Sequence, residues 1–170
     1  MMTFDVNPCW VGGGNIAICW VERLLECARE KRLDVEALLS AADISAYLLG
    51  SPNARISAEK FNVLWWRVAL ALGDEFLGQD SRGMKIGSFA WLCKTTIHCR
   101  TLKQALRRAL RCFDLVLDDI RGELSLHEGL AKLTFQVRSH GGSAGILAYE
   151  TLTMMLYGLA CWLLDSAKFS

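Results

Sequence analysis

The sequence has no surplus of charge. Nineteen Lys and Arg stand against 18 Asp and Glu in 170 residues, a formal net charge of +1, far from the basic excess that binding to a phosphate backbone requires. The chain alone is therefore a poor nucleic-acid binder, and any DNA contact must be supplied elsewhere. Catalytic signatures are missing too. The three histidines, His98, His127 and His140, belong to neither a Gly-x-Ser-x-Gly elbow nor a His-Glu-x-x-His helix, so no activated serine or catalytic zinc is indicated. An enzyme would need a reactive pair such as a low-pKa Cys99 beside His98, and no enzymatic activity is expected.

Cys-x-x-Cys is absent as well. Seven cysteines, an odd number, in a chain that is 52% hydrophobic read as reduced and mostly buried thiols in place of a disulfide framework. Cys93, His98 and Cys99 can converge at a bend, but no fourth ligand is indicated, so no metal site is expected. The stretch 1–14 lacks the basic start and apolar run of a secretory signal, which together with the thiols predicts a cytoplasmic protein. There is no internal repeat and no interdomain linker. With 22% charged residues, the composition excludes disorder and suits one domain over residues 15–168, preceded by a flexible segment 1–14.

What is present is a set of amphipathic segments. Asn15 is positioned to cap a first helix carrying Ile16, Trp20, Leu24 and Cys27 on one face. Asp34 caps a short helix with Val35, Leu38 and Leu39 inward, and Ser57 caps one carrying Phe61, Leu64, Trp65, Val68 and Leu72, closed by Gly73. Residues 88–97 read as helical. Thr101 caps a helix with Leu102, Ala105, Leu106, Ala109, Leu110 and Phe113 inside; Lys103, Arg107, Arg108 and Arg111 form its solvated outer face. From Ile120 the apolar period changes to two, with Glu128-Gly129 as the turn of a hairpin near 120–138. Such a hairpin needs a helical layer, and Leu115 to Leu117 is the candidate third strand. Ser139 to Ser143 is a polar loop.

The run 144–164 holds one charge, Glu150, and is long enough to cross a bilayer. Glu150, Tyr149, Thr151, Thr153 and Tyr157, with no flanking Lys or Arg cluster, argue against a span, and no membrane association is expected. A helix covered on several sides, by its own domain and by a partner, explains the hydrophobicity. The fold class is α+β: mostly helical, with a small antiparallel sheet packed by helices that include this long apolar one.

Gly87-Ser88-Phe89-Ala90-Trp91-Leu92, followed by Thr101-Leu102-Lys103-Gln104-Ala105-Leu106, resembles the N-terminal effector-binding, arabinose-binding-like domain of AraC-type bacterial transcription regulators. Leu38 to Ile44, Ala54-Arg55-Ile56-Ser57, Phe61 to Trp65 and Leu72-Gly73-Asp74 fall in register with it, over roughly residues 15 to 165. Two departures are Glu75, where proline is usual, and Trp66-Arg67. The resemblance implies a ligand-sensing, dimerising domain that controls a C-terminal helix-turn-helix DNA-binding domain not present in these residues. Either an excised sensor or a free-standing relative fits, and the first is favoured. A stand-alone oligomerisation or partner-binding module without a small-molecule ligand is the alternative.

The expected partners are an unidentified small-molecule effector and a second copy of the chain, with DNA reached only through the missing domain. Trp65, Trp66 and Trp91 fall in helices expected to surround a cavity, and Arg67, Lys94, His98 and Glu150 are candidate polar anchors beside them. High aromatic and aliphatic content favours an apolar or amphipathic effector over a sugar. Haem sensors of diatomic gases are similar in size, but their Tyr-x-Ser-x-Arg clamp is absent, and no cofactor is expected.

Overall fold

Consecutive residues Phe76 and Leu77 are both completely buried, yet they belong to different hydrophobic cores. They mark the join between two lobes in the computed structural model, which describes residues 14–137 and 145–165. The expected flexible segment, apart from Gly14, and the polar loop at 139–143 lie outside the described residues.

The first lobe comprises β1 (Asn15–Ala17), α1 (Ile18–Glu30), α2 (Val35–Ala41), a short 3-10 helix (Ala46–Leu48), β2 (Arg55–Ser57) and α3 (Ala58–Leu72). Helices α2 and α3 begin where side-chain chemistry directs. Asp34 Oδ1 accepts from Ala37 N at 3.0 Å and Ser57 Oγ from Lys60 N at 3.3 Å, each cap contributing about 1 kcal/mol. Gly73, at φ 65°, terminates α3 in the left-handed conformation that a side chain disfavours. Leu24, Leu25, Phe61, Leu64 and Val68 have almost no exposure and fill the space between α1 and α3.

Asn15 does not cap α1. It lies in β1, which pairs antiparallel with β2 in the register Asn15↔Ser57 and Ala17↔Arg55. The helix starts at Ile18 with no side-chain cap, and Ile18 N donates instead to the Ala54 carbonyl at 3.0 Å. A backbone acceptor brought from distant sequence thus replaces the local cap. The inner face carries Ile18, Val21, Leu24, Leu25, Cys27 and Ala28, so Leu24 and Cys27 point inward as expected while Trp20 is only half-buried.

The second lobe comprises α4 (Ser88–Thr96), α5 (Leu102–Val116), β3 (Ile120–His127), β4 (Leu130–Val137) and α6 (Ile146–Asp165). Thr101 Oγ1 caps α5, accepting from Gln104 N at 3.2 Å. The hairpin turns at Glu128 (φ 50°) and Gly129 (φ 80°), the paired left-handed residues that match the twist of a two-residue hairpin. A Cβ on Gly122 would lie 2.5 Å from Leu110 Cδ2; the missing side chain lets β3 sit directly on α5.

The expected third strand at Leu115 to Leu117 does not form. Helix α5 continues through Val116, because Phe113 and Leu117, one turn apart, both reach the core while Leu115 stays 68% exposed. That is helical, not strand, periodicity. The hairpin is therefore two-stranded and is backed by α5 and by α6, where Phe135 and Tyr149 rings meet at 6.4 Å.

Helix α6 is long and apolar enough by length and composition to cross a bilayer, but Leu152, Leu156, Leu159 and Leu163 close the second core. Its other side exposes Ile146, Tyr157 and Leu164. The architecture is mostly helical α+β, with two small two-stranded antiparallel sheets.

Candidate functional site

Three buried carboxylates build the join between the lobes. Asp74 accepts from the backbone N–H groups of Phe76, Gly78 and Met84 at 2.8, 2.7 and 2.6 Å. These bonds hold Leu77 and Gly78 at φ 61° and 72°, the reversal that sends Phe76 and Leu77 into opposite cores. A left-handed leucine costs about 1 kcal/mol or more, which the charge-assisted bonds offset. Asp80 accepts from Asp118 N and Asp119 N at 2.9 and 2.8 Å, tying this loop to the α5–β3 turn.

Glu75 occupies the position where the resemblance leads one to expect proline. Its N–H donates to the Met84 carbonyl at 2.7 Å, a bond proline could not make. Its carboxylate accepts from Gly87 N and Phe89 N at 2.7 and 2.8 Å, capping α4, whose N-cap glycine has no side chain to do so. Burial pushes the Glu75 carboxyl above the usual glutamate range; the two backbone donors pull it down and Asp74 pushes it up.

Arg23 on α1 reaches across to α6, donating to both oxygens of Glu150 at 2.5 Å. The same guanidinium lies 5.6 Å from the Trp20 ring centroid. The Glu150 interaction raises the arginine further above its already high pKa. Gln79 Nε2 donates to Cys27 Sγ at 3.0 Å. Burial and the nearby Glu30 and Glu26 push the Cys27 thiol up to about 11, so it remains protonated at neutral pH and is a poor nucleophile.

The sequence-predicted site residues fall at three separate places. Trp65 and Trp66 are half-buried on α3 against the first core, with the Phe61 and Trp65 rings 6.0 Å apart; Arg67 beside them is exposed. Trp91, 58% exposed, lies on α4 with exposed Lys94, and exposed His98 follows that helix. Glu150 is engaged by Arg23. Among the described residues, no group of three or more His, Cys, Asp and Glu side chains is arranged to hold a metal ion.

A cleft of about 480 Å³ opens elsewhere, in the first lobe. It is lined by Ser40, Asp43, Ile44, Ser45, Leu48, Arg55, Ile56, Ser57 and Lys60, and includes none of those seven predicted residues. Its wall is the β2–α3 junction, and its opposite side is the turn from α2 into the 3-10 helix. Lys60 Nζ spans the rim, bonding the Asp43 carbonyl at 2.5 Å and its carboxylate at 2.7 Å. That ammonium holds the Asp43 carboxyl below the usual range. Arg55 Nη2 donates to the Asn15 carbonyl at 2.9 Å, tying the guanidinium to β1. The family resemblance marked Ala54 to Ser57 only as the entry to a helix; the accompanying cleft arises from β1–β2 pairing, which local spacing does not report.

Comparison with known proteins places the chain in a family. The family model described as the arabinose-binding domain of AraC transcription regulator, N-terminal, matches residues 33–169. The chain is also 28% identical over 158 residues to a protein named ornithine utilization regulator from Pseudomonas aeruginosa. That match covers 87% of this chain and 44% of the relative, so the chain spans less than half of the relative's length. No solved structure matches the chain. The family match begins just before α2 and runs through α6, and the chain accordingly belongs to the arabinose-binding N-terminal domains of AraC-type transcription regulators, a family of regulator domains and not of enzymes.

Proposed function

We propose that this domain senses a small intracellular metabolite and dimerises, and that the two events together control a helix-turn-helix DNA-binding unit joined to it in the cytoplasm. The observation that carries dimerisation is the outer stripe of α6. Ile146 and Leu164 are 69% and 53% exposed and Tyr157 is 70% exposed, on a helix whose opposite face is core. With exposed Thr153 these residues follow a symmetric spacing along the helix. Two antiparallel copies of α6 related by a twofold axis would set Ile146 against the partner's Leu164 and Thr153 against the partner's Tyr157. A self-complementary patch is what an isologous interface requires. Glu150, on the same helix, would add little unpaired charge because Arg23 already holds it.

Sensing is supported by the family and by the relative named for ornithine utilization. An effector regulates only if it binds two arrangements of the dimer, or of sensor against DNA-binding unit, with different affinity. In this reading the join at residues 74–80 transmits such a difference between the lobes.

Sedimentation equilibrium of the chain and of Leu164→Glu tests dimerisation: a dimer that becomes monomeric on introducing the charge is expected. A wild-type monomer at tens of micromolar contradicts it. A thermal-stability screen of small metabolites, including L-ornithine, tests sensing, since any ligand binding only the folded state raises the melting temperature. A dimer that no metabolite stabilises favours the second reading, an oligomerisation module without a ligand.

A further inference from the structure

We propose that the cleft between the α2 turn and the β2–α3 junction is a binding site for a small monocarboxylate with a short aliphatic body. The inference rests on the sensor reading and adds the place and chemical class of ligand to it. The cleft carries two cations, Arg55 and Lys60, and one carboxylate, Asp43. Lys60 and Asp43 satisfy each other across the rim. Arg55 does not share in that pair. Among the described residues its guanidinium makes one hydrogen bond, to the Asn15 carbonyl, leaving several N–H groups of a planar fork whose geometry matches a carboxylate. An anionic group is the complement of this arrangement, since a cation would face the held guanidinium.

The remaining lining defines the body of the ligand. Ile44, Leu48 and Ile56 supply aliphatic surface, and Ser40 and Ser45 supply hydroxyls. Ser45 begins the 3-10 helix without using its side chain as a cap. Ile56 is 5% exposed and fixed by β1–β2 pairing. A volume of about 480 Å³ lies within the range of small-molecule sites. A guanidinium on the β2 side, hydroxyls on the facing α2 turn and aliphatic residues on both sides select a short fatty or oxo acid in preference to a polyol.

The test is titration calorimetry of the chain with butyrate, hexanoate, butylamine and inorganic phosphate, repeated on Arg55→Ala, Arg55→Lys and Ser45→Phe. Saturable binding of the two carboxylates is expected. Hexanoate should bind more tightly by up to about tenfold, because two further methylenes contact the aliphatic wall. Arg55→Ala should weaken binding by about five- to tenfold, Arg55→Lys by less. Ser45→Phe, on an exposed position, should block the cleft while leaving the melting temperature within about 2 °C of wild type. Equal binding of phosphate and hexanoate would mean an adventitious anion site only and would overturn the proposal, as would binding of butylamine alone or no carboxylate binding. Carboxylate binding unchanged by both Arg55→Ala and Ser45→Phe would overturn this location while leaving the sensor reading intact. Failure of the whole metabolite screen would remove the sensor reading itself.

Discussion

The two lobes solve the same packing problem with different materials. The first buries Leu, Ile, Val and Phe from helices of which α2 and α3 are capped locally, and its tiny sheet joins segments forty residues apart in sequence, with Arg55 reaching Asn15 across that distance. The second rests a hairpin on α5 and closes with α6, a helix apolar on both its buried and its exposed sides. One lobe presents a polar cleft, the other an apolar stripe. Small ligands need convergent polar anchors and a wall, whereas a subunit needs an extended surface, so the lobes are suited to different partners.

If both cores are required for one cooperative unit, truncating either large aromatic should have similar consequences. Phe61→Ala and Phe113→Ala, each removing a ring with 1% exposure, are expected to cost about 3–5 kcal/mol in urea denaturation. Far-UV circular dichroism and tryptophan fluorescence should give the same midpoint in each variant. Non-coincident transitions would break the comparison and make the lobes independent folding units.

Gly122→Ala probes the second lobe alone. Its new Cβ would meet Leu110 on α5, so a loss of about 1–3 kcal/mol is expected, with the first lobe's hydrogen-exchange protection following only the global change. Thr151→Val should act in the opposite direction. The Thr151 hydroxyl is buried in α6 with no hydrogen-bond partner among the described residues, and replacing it with a methyl of similar shape should stabilise by up to about 1 kcal/mol in the same denaturation assay. A loss instead would mean the hydroxyl has a role in the second lobe that packing does not reveal.

The smallest effect is expected at the ion pair between the lobes. A double-mutant cycle on Arg23→Ala and Glu150→Ala should return a coupling of at most about 1 kcal/mol, because both side chains are partly exposed and screened. Larger coupling would assign the lobe junction to this pair in place of Asp74 and the buried loop that it organises.

Much of this was legible in the residues. Asp34, Ser57 and Thr101 cap the helices expected of them, and Glu128-Gly129 turns the hairpin, because caps and tight turns are decided within a few residues. Non-local pairing was not legible. Asn15 resembles a cap but pairs with Ser57, and Leu117 resembles a strand residue until the core shows that it continues the face of Phe113. The site residues had the same difficulty: Trp91 lies on a helix near apolar positions yet faces outward, while Arg55 acquires a cleft only through strands that sequence spacing did not indicate. The division into two cores turns on Leu77, a non-glycine residue at positive φ, for which Asp74 carries the explanation but no pattern the signal.

Native mass spectrometry of the purified chain tests sensing and dimerisation together. A dimer that releases a small organic molecule on activation is the expected spectrum, with the released mass giving the effector's class. A monomer with no retained molecule, whose thermal stability no metabolite raises, would contradict both.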